Sequence, residues 1–474
     1  MVQEATRPAD DWPQRALAAA RPQVFWLDDP ERPQRRAALT GAESADLVVV
    51  GGGYTGLWTA LRAKERRPER DVVLLEAGGC GDQASGRNGG FAAASLTHGY
   101  ANGQARWPEE LATLDRLGAE NLRGLADTVC RHRIDCHWEE TGELSVATAG
   151  HEVDDLAEAA EQLAAAGHEA RFLDTAQVRA EVDSPTYLAG LVEPHATALV
   201  EPARLAWGLR RACLDAGVRI YEDTPVTGIA RDAAGMLTRT RRGRVRSGRV
   251  ALATNAFPPL LRRLRLMTVP VYDYVLVTEP LSAEQRAAIG WRHRQGIGDA
   301  SNLFHYYRLT RDDRILWGGY DAVYHYGSRI HADLEQHGPT HERLAEHFFT
   351  TFPQLRGLSF THRWSGVIDT CTRFAPFFGT AYDGRVGYAL GYTGLGVGAT
   401  RFGADVLLDL LDDQDTERTR LRMVRERPLP FPPEPLRALG IGLTRRSLAR
   451  ADAAGGRRNL WLRSLDRFGL GFDS

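Results

Sequence analysis

The stretch 45-ADLVVVGGGYTGLWTALRAKERRPERDVVLLEAGGCGDQASGRNGG-90 decides the reading of this chain. Ala45 to Val50 form an apolar run of strand type, which turns at Gly51, Gly53 and Gly56 in the spacing GxGxxG. Leu57, Ala60 and Leu61 then fall on one face of a helix. A charged turn, Arg66 to Arg70, leads to a second apolar strand, Val72 to Leu75, ending at Glu76. Each residue type has a task. Gly51 permits a tight turn, Gly53 admits a pyrophosphate close to the backbone, and Gly56 lets helix and strand pack. The helix start offers unpaired N–H groups and partial positive charge to phosphate. Glu76, 20 positions beyond Gly56, stands where a carboxylate accepts hydrogen bonds from ribose hydroxyls. Strand, turn, helix, strand and acid together predict dinucleotide binding.

Working outward, 474 residues exceed one compact core and predict two intertwined domains. A net charge of −2 supplies no overall attraction for nucleic acid or an anionic membrane. No stretch has the apolar length of a membrane span, and the N-terminus lacks the apolar region of a signal peptide. Cys80, Cys130, Cys136, Cys213 and Cys371 are odd in number and without a CxxC pair. They predict neither a disulfide framework nor a metal site, and a cytoplasmic protein. Of 59 basic residues only Lys64 is a lysine, placed in the first helix. Schiff-base chemistry with pyridoxal phosphate therefore has no residue to use.

Along the chain, residues 1–43 are polar and proline-broken, an arm anchored through Val24, Phe25, Trp26 and Leu27. The loop after Glu76 ends in SGRNGG, where Ser85, Arg87 and Asn88 carry donors and Gly86, Gly89 and Gly90 permit close approach, a second ligand contact. A long amphipathic helix from Pro108 to about His132, strands within Ile134–Ala147 and a helix Leu156–Ala166 open a second unit. Glu201-Pro202 opens a helix of the first unit. Val226, after Thr224-Pro225, is placed against an adenine, and Thr254 and Asn255 beside the pyrophosphate. The arginine-rich hairpin 231–249 lacks interleaved aromatics and reads as a solvated sheet face. Residues 268–360 return to sheet, dense in Tyr272, Tyr274, His305, Tyr306, Tyr307, Arg308 and Trp317. Such aromatics serve equally as core or as the ceiling over a planar cofactor. Residues 385–411 give a second strand, a glycine turn at Gly391, Gly394 and Gly396, and a helix. A proline-rich tail ends in two short basic helices, read as packing or a subunit contact.

Several of these blocks together resemble the FAD-dependent D-amino acid oxidase superfamily, in particular its glycine/sarcosine oxidase and γ-glutamylputrescine oxidoreductase branch. They are the GxGxxG unit with Glu76, SGRNGG, the Glu201-Pro202 helix, LATNAF at 252–257, YYRLTRDDRILWGG at 306–319 and GYTGLGVG at 391–398. The resemblance implies an α/β and α+β fold, a Rossmann-like FAD-binding domain of the GR2 type with an antiparallel-sheet substrate domain. The nucleotide domain is then discontinuous (44–100, 190–262 and 361–411), the substrate domain spans 101–189 and 263–360, and 412–474 forms the tail. FAD contacts are expected from Gly51, Gly53, Tyr54, Thr55, Gly56, Glu76, Ala77, Ser85 to Gly90, Val226, Thr254, Asn255 and Thr393, Gly394, Leu395, Gly396 and Val397.

The implied activity is oxidation of the C–N bond of a small amine or amino acid. The catalytic expectation falls on Tyr307 and Arg308, then His305, with Tyr272, Tyr274 and Trp317 as an aromatic cage that disfavours the substrate's ammonium. Two departures stand out. Relatives with a lysine beside the flavin use it with oxygen, and this chain has none there, so oxidase and dehydrogenase both stay open. Cys371 is off the position at which some relatives attach FAD, so non-covalent FAD is expected. The alternatives are a nicotinamide-dependent dehydrogenase and an RNA-modifying flavoprotein.

Overall fold

In the strand Gly41–Val50, Leu47 and Val49 pack under the helix Tyr54–Arg66, while Val48 and Val50 point into a separate cluster on the other face. A parallel sheet covered on both faces needs such an unbroken apolar run. The computed structural model describes residues 12–233, 235–467 and 470. Residues 1–11 of the expected arm and 468, 469 and 471–474 of the tail lie outside the described residues.

Among the described residues there is one sheet of eight strands and one of nine. The first is parallel at its centre, in the order 386–390, 243–252, 41–50, 72–75 and 219–221, with the antiparallel strand Phe377–Ala381 at one edge. The hairpin Val226–Asp232 and Gly235–Thr240 is added along the start of Gly243–Leu252. The helices Tyr54–Arg66 and Gly396–Leu411 both start beyond the carboxyl ends of parallel strands.

The larger sheet is antiparallel apart from one parallel pair, Gly296–Asp299 with Glu143–Ala147. One face is sealed by the helix Gly338–Thr351, whose Phe348 and Phe349 enter the core beside Tyr272, Tyr274, Tyr307 and Trp317. The arm packs where expected: Val24, Trp26 and Leu27 are buried, and Trp26 Nε1 donates to Asn88 O at 2.9 Å.

Several boundaries differ from the sequence reading. Ala189–Glu193 and Phe360–Thr370, on the nucleotide side of the expected borders, are hydrogen-bonded within the larger sheet. Both are the strands by which the chain crosses between units, so composition does not mark them. The helix expected over 108–132 is present as Leu111–Arg131, preceded by a short helix, Tyr100–Arg106, that the reading did not anticipate. The next begins at Gly150, six residues early, because Glu152 Oε2 accepts from the N–H groups of Thr148 and Ala149 at 2.6 and 3.0 Å. The first of the two helices expected after the proline cluster is not short. It runs over Leu436–Ala453.

Candidate active site

The two sheets enclose a cavity of about 1420 Å³. Its floor is built by the glycine turns. A methyl on Gly51 would stand 2.3 Å from Ala253 O, and one on Gly56 1.8 Å from Gly51 O, so only hydrogen fits at either. Gly51 also has φ +110°, a conformation open to glycine. The helix Tyr54–Arg66 starts at Gly53 and Gly396–Leu411 at Leu395, and neither starting residue supplies a capping side chain. Gly53, Tyr54 and Thr55, and Thr393 to Val397, form the wall. Two positive helix ends thus meet one enclosed space. Toward the other ends of the two helices Arg62 and Arg66 tie them together, bonding Asp405 at 3.0 and 2.7 Å, with Arg66 also bonding Asp409 at 2.7 Å.

Glu76 and Ala77 line the same cavity. Glu76 is clamped by its own turn: Oε2 accepts from Gly52 N at 2.5 Å and Oε1 from Gly78 N at 2.8 Å. Each oxygen keeps a lone pair for a ribose hydroxyl. Burial pushes its pKa up. Ser85 Oγ accepts from Tyr54 N at 2.9 Å, joining the SGRNGG loop to the first helix. Ser85, Arg87, Asn88, Gly89 and Gly90 line the wall, whereas Gly86 lies behind it against Gly81 O. Asn88 uses its amide on Ala84 O, Ser85 O and Gly90 N, and Arg87 pairs with Glu335 at 2.8 Å. These side chains shape the loop. Val226, Thr254 and Asn255 complete the nucleotide end, Asn255 at φ 50°.

An FAD fits this donor set. The glycine cradle suits a pyrophosphate and Glu76 a ribose, and the second helix end suits the electron-rich ring. Cys371 lies outside the lining, its thiol donating to Ala375 O and Gly391 O at 3.2 and 3.4 Å.

The six residues expected to act on substrate are not on the cavity wall. Tyr307 stacks on Trp317 with centroids 4.4 Å apart and meets Tyr187. Tyr274 Oη donates to Leu334 O at 2.9 Å, and Tyr272 bonds the backbone of His331. His305 is held between Asp299 at 2.6 Å and His347 at 2.9 Å. Arg308 is fully buried behind Gly90. It donates to Val200 O at 2.6 Å, and burial pushes its pKa down to about 10. The physical reason is sheet parity. Residues 272 and 274, with 305, 307 and 317, point to the covered face, and a one-residue slip exchanges the faces.

The neighbours at odd register, Asp273 and Tyr306, line the cavity instead. Tyr306 Oη donates to Asp273 Oδ2. Burial raises the Asp273 carboxyl to about 6, although the Tyr306 hydroxyl opposes the rise. The sequence reading missed Asp273, a carboxylate alone in the apolar strand 269–278, and that isolation was the available signal. Further cavity carboxyls include Asp369, raised to about 7 by burial while Gly391 N donates to it at 2.5 Å, and the facing pair Glu143 and Glu193. The tail closes one side: Leu448, Leu462 and Leu465 line the cavity, and Asp452 accepts from Asn302 N and Leu303 N at 3.1 and 3.2 Å. Among the described residues no helix is long and apolar enough to cross a membrane, and no group of three side chains is placed to hold a metal.

A family model described as FAD dependent oxidoreductase, DAO, matches residues 46–410. The chain is 32% identical to γ-glutamylputrescine oxidoreductase of Escherichia coli (strain K12), over 80% of this chain and 86% of that one. It is 22% identical to sarcosine oxidase subunit beta of Rhodobacter capsulatus, over 72% and 78% of the two chains. Among solved structures, glycine oxidase from Geobacillus kaustophilus superposes with a TM-score of 0.64 at 20% identity, covering 79% of this chain and 96% of that one.

Proposed function

Because this chain belongs to the DAO family of FAD-dependent oxidoreductases, we propose that it binds FAD non-covalently and oxidises the C–N bond of a small amine or amino acid. The observation that carries the proposal is the meeting of two helix N-termini, those of Tyr54–Arg66 and Gly396–Leu411, on one cavity roofed by the larger sheet. Gly51 and Gly53 with the first helix hold the pyrophosphate, flanked by Thr254 and Asn255, while Glu76 holds a ribose and Val226 the adenine. Thr393 to Val397 hold the ring. An FAD held there would supply an acceptor for a hydride equivalent, two electrons and one proton, from the substrate carbon. The chain's own residues orient the amine against it and keep water out, and the imine released is hydrolysed to a carbonyl compound.

The names of the relatives, γ-glutamylputrescine oxidoreductase and sarcosine oxidase subunit beta, support an amine substrate. The family match displaces the nicotinamide alternative. The buried, internally bonded thiol of Cys371 supports non-covalent attachment. Five unpaired cysteines support a reducing compartment, which we take to be the cytoplasm.

The test is an anaerobic screen. Purified protein is expected to be yellow, to release FAD on denaturation, and to bleach with at least one of glycine, sarcosine, putrescine or a γ-glutamyl amine. A colourless protein that takes up no FAD overturns the proposal.

A further inference from the structure

We propose that Asp273 is a catalytic base that takes the proton of a primary or secondary ammonium substrate, with Tyr306 as its positioning residue; this rests on the amine-oxidising reading above. A substrate nitrogen must carry a free electron pair before its neighbouring carbon gives up hydrogen, yet amines reach the enzyme largely as ammonium. In the proton transfer one substrate N–H bond breaks, one O–H bond forms on Asp273, and the nitrogen keeps the electron pair. No other reactant is consumed.

Position selects Asp273. It is a buried carboxyl on the cavity wall, turned away from the aromatic core that its neighbours Tyr272 and Tyr274 enter. Glycines clear the space around it. Gly366 stands opposite on Phe360–Thr370, and Gly318 and Gly319 lie on Ile315–Gly319. Gly318 matters most, since a methyl there would reach within 2.6 Å of Tyr306 Cζ and Oη, blocking the phenol's path to Asp273.

The groups facing Asp273 can be enumerated. From His305–Leu309 come the Tyr306 hydroxyl and, through space, His305; the N–H groups of Tyr274 and Gly319 also favour its anion. Along its own strand Tyr274 feels its charge. No salt bridge to arginine is formed by this carboxylate among the described residues, so its charge is available to a cationic ligand. Burial raises the carboxyl toward 6, and the same dry surroundings lower the pKa of a bound ammonium, so the two approach each other. A cationic N–H donor suits an unpaired carboxylate, and a quaternary ammonium has no such proton to give.

The test uses holoenzyme and the variants Asp273→Asn and Tyr306→Phe. Flavin bleaching is followed anaerobically from about pH 5 to 9 with whichever of glycine, sarcosine or putrescine reduces the wild type fastest. Asp273→Asn is expected to lose about 100-fold or more in reduction rate while retaining flavin, as when a proton-transfer group is removed. Tyr306→Phe is expected to move the acid limb of the wild-type profile to higher pH, because it withdraws a hydrogen bond that favours the anion. If Asp273→Asn fails to fold, the limb of Tyr306→Phe decides. A wild-type rate and limb in Asp273→Asn, or an unmoved limb in Tyr306→Phe, overturns the proposal while leaving amine oxidation intact. A flavin-loaded wild type that no amine bleaches overturns the amine reading itself and this inference with it.

Discussion

The phenol oxygens of Tyr307 and Tyr187 lie 2.6 Å apart in a fully buried contact, on the face of the larger sheet turned away from the cavity. Tyr307→Phe leaves the Tyr187 hydroxyl buried without a partner. The expected cost is about 1–3 kcal/mol of unfolding free energy, with the rate of flavin reduction within about twofold of wild type, a barrier change of about 0.4 kcal/mol or less. Chemical denaturation and anaerobic reduction, measured side by side, check the separation. A large loss of rate without loss of stability would return Tyr307 to the reacting site.

Gly51→Ala places a methyl 2.3 Å from Ala253 O at a φ of +110°. Backbone strain of this kind costs about 1–3 kcal/mol, and relief of the clash must move the turn that faces the pyrophosphate. The variant is expected to purify with most of its flavin lost and a lowered melting temperature. The ratio of flavin to protein absorbance reports the outcome.

The ladder of Arg62, Arg66, Asp405 and Asp409 ties the two cofactor-facing helices together, with Asp409 only 3% exposed. A double-mutant cycle on Arg66→Ala and Asp405→Ala is expected to give a coupling of about 1–2 kcal/mol, as for contacting residues in one network. Raising salt should reduce that coupling only slightly, because partly buried pairs are poorly screened. Denaturant titrations of the four proteins measure it.

Glu143 and Glu193 face each other directly across adjacent antiparallel strands. Burial first, and then the charge of Glu143, raise Glu193 from 4.5 to about 7. A carboxyl whose pKa is raised on folding contributes stability that is fully present below its unfolded value and lost as pH rises through the folded one. The melting temperature is therefore expected to fall as pH rises from 4.5 to about 7 through this group. Glu193→Gln should flatten that slope and be the more stable protein at pH about 8. Scanning calorimetry of both proteins across this range is the check, and parallel curves would refute the assignment.

The nucleotide half was legible because its requirements are local. Gly56 is imposed by a backbone contact five residues away, with Gly51 O, Gly51 by its own positive φ, and Glu76 by the length of one strand–helix–strand unit, so spacing alone located them. The Gly391–Gly396 turn is the same device repeated. Asn88 and Arg87 were harder to read, since a donor in a loop looks the same whether it bonds a ligand or, as here, Ala84 O and Glu335.

The sequence by itself determined that a dinucleotide cradle exists and that the cofactor's two anchoring turns lie about 340 residues apart in the chain. It also made clear that no lysine serves the site. Only the tertiary structure decided which side of each sheet strand meets the cavity. In VPVYDYVLV both parities, Asp273 apart, are apolar or aromatic, because both faces of that strand are covered, one by the helix Gly338–Thr351 and the other by the cavity wall and the arm. Alternation then carries no direction, and pairing with distant strands turns Tyr272, Tyr274 and Tyr307 into core while bringing Asp273 and Tyr306 to face the cavity.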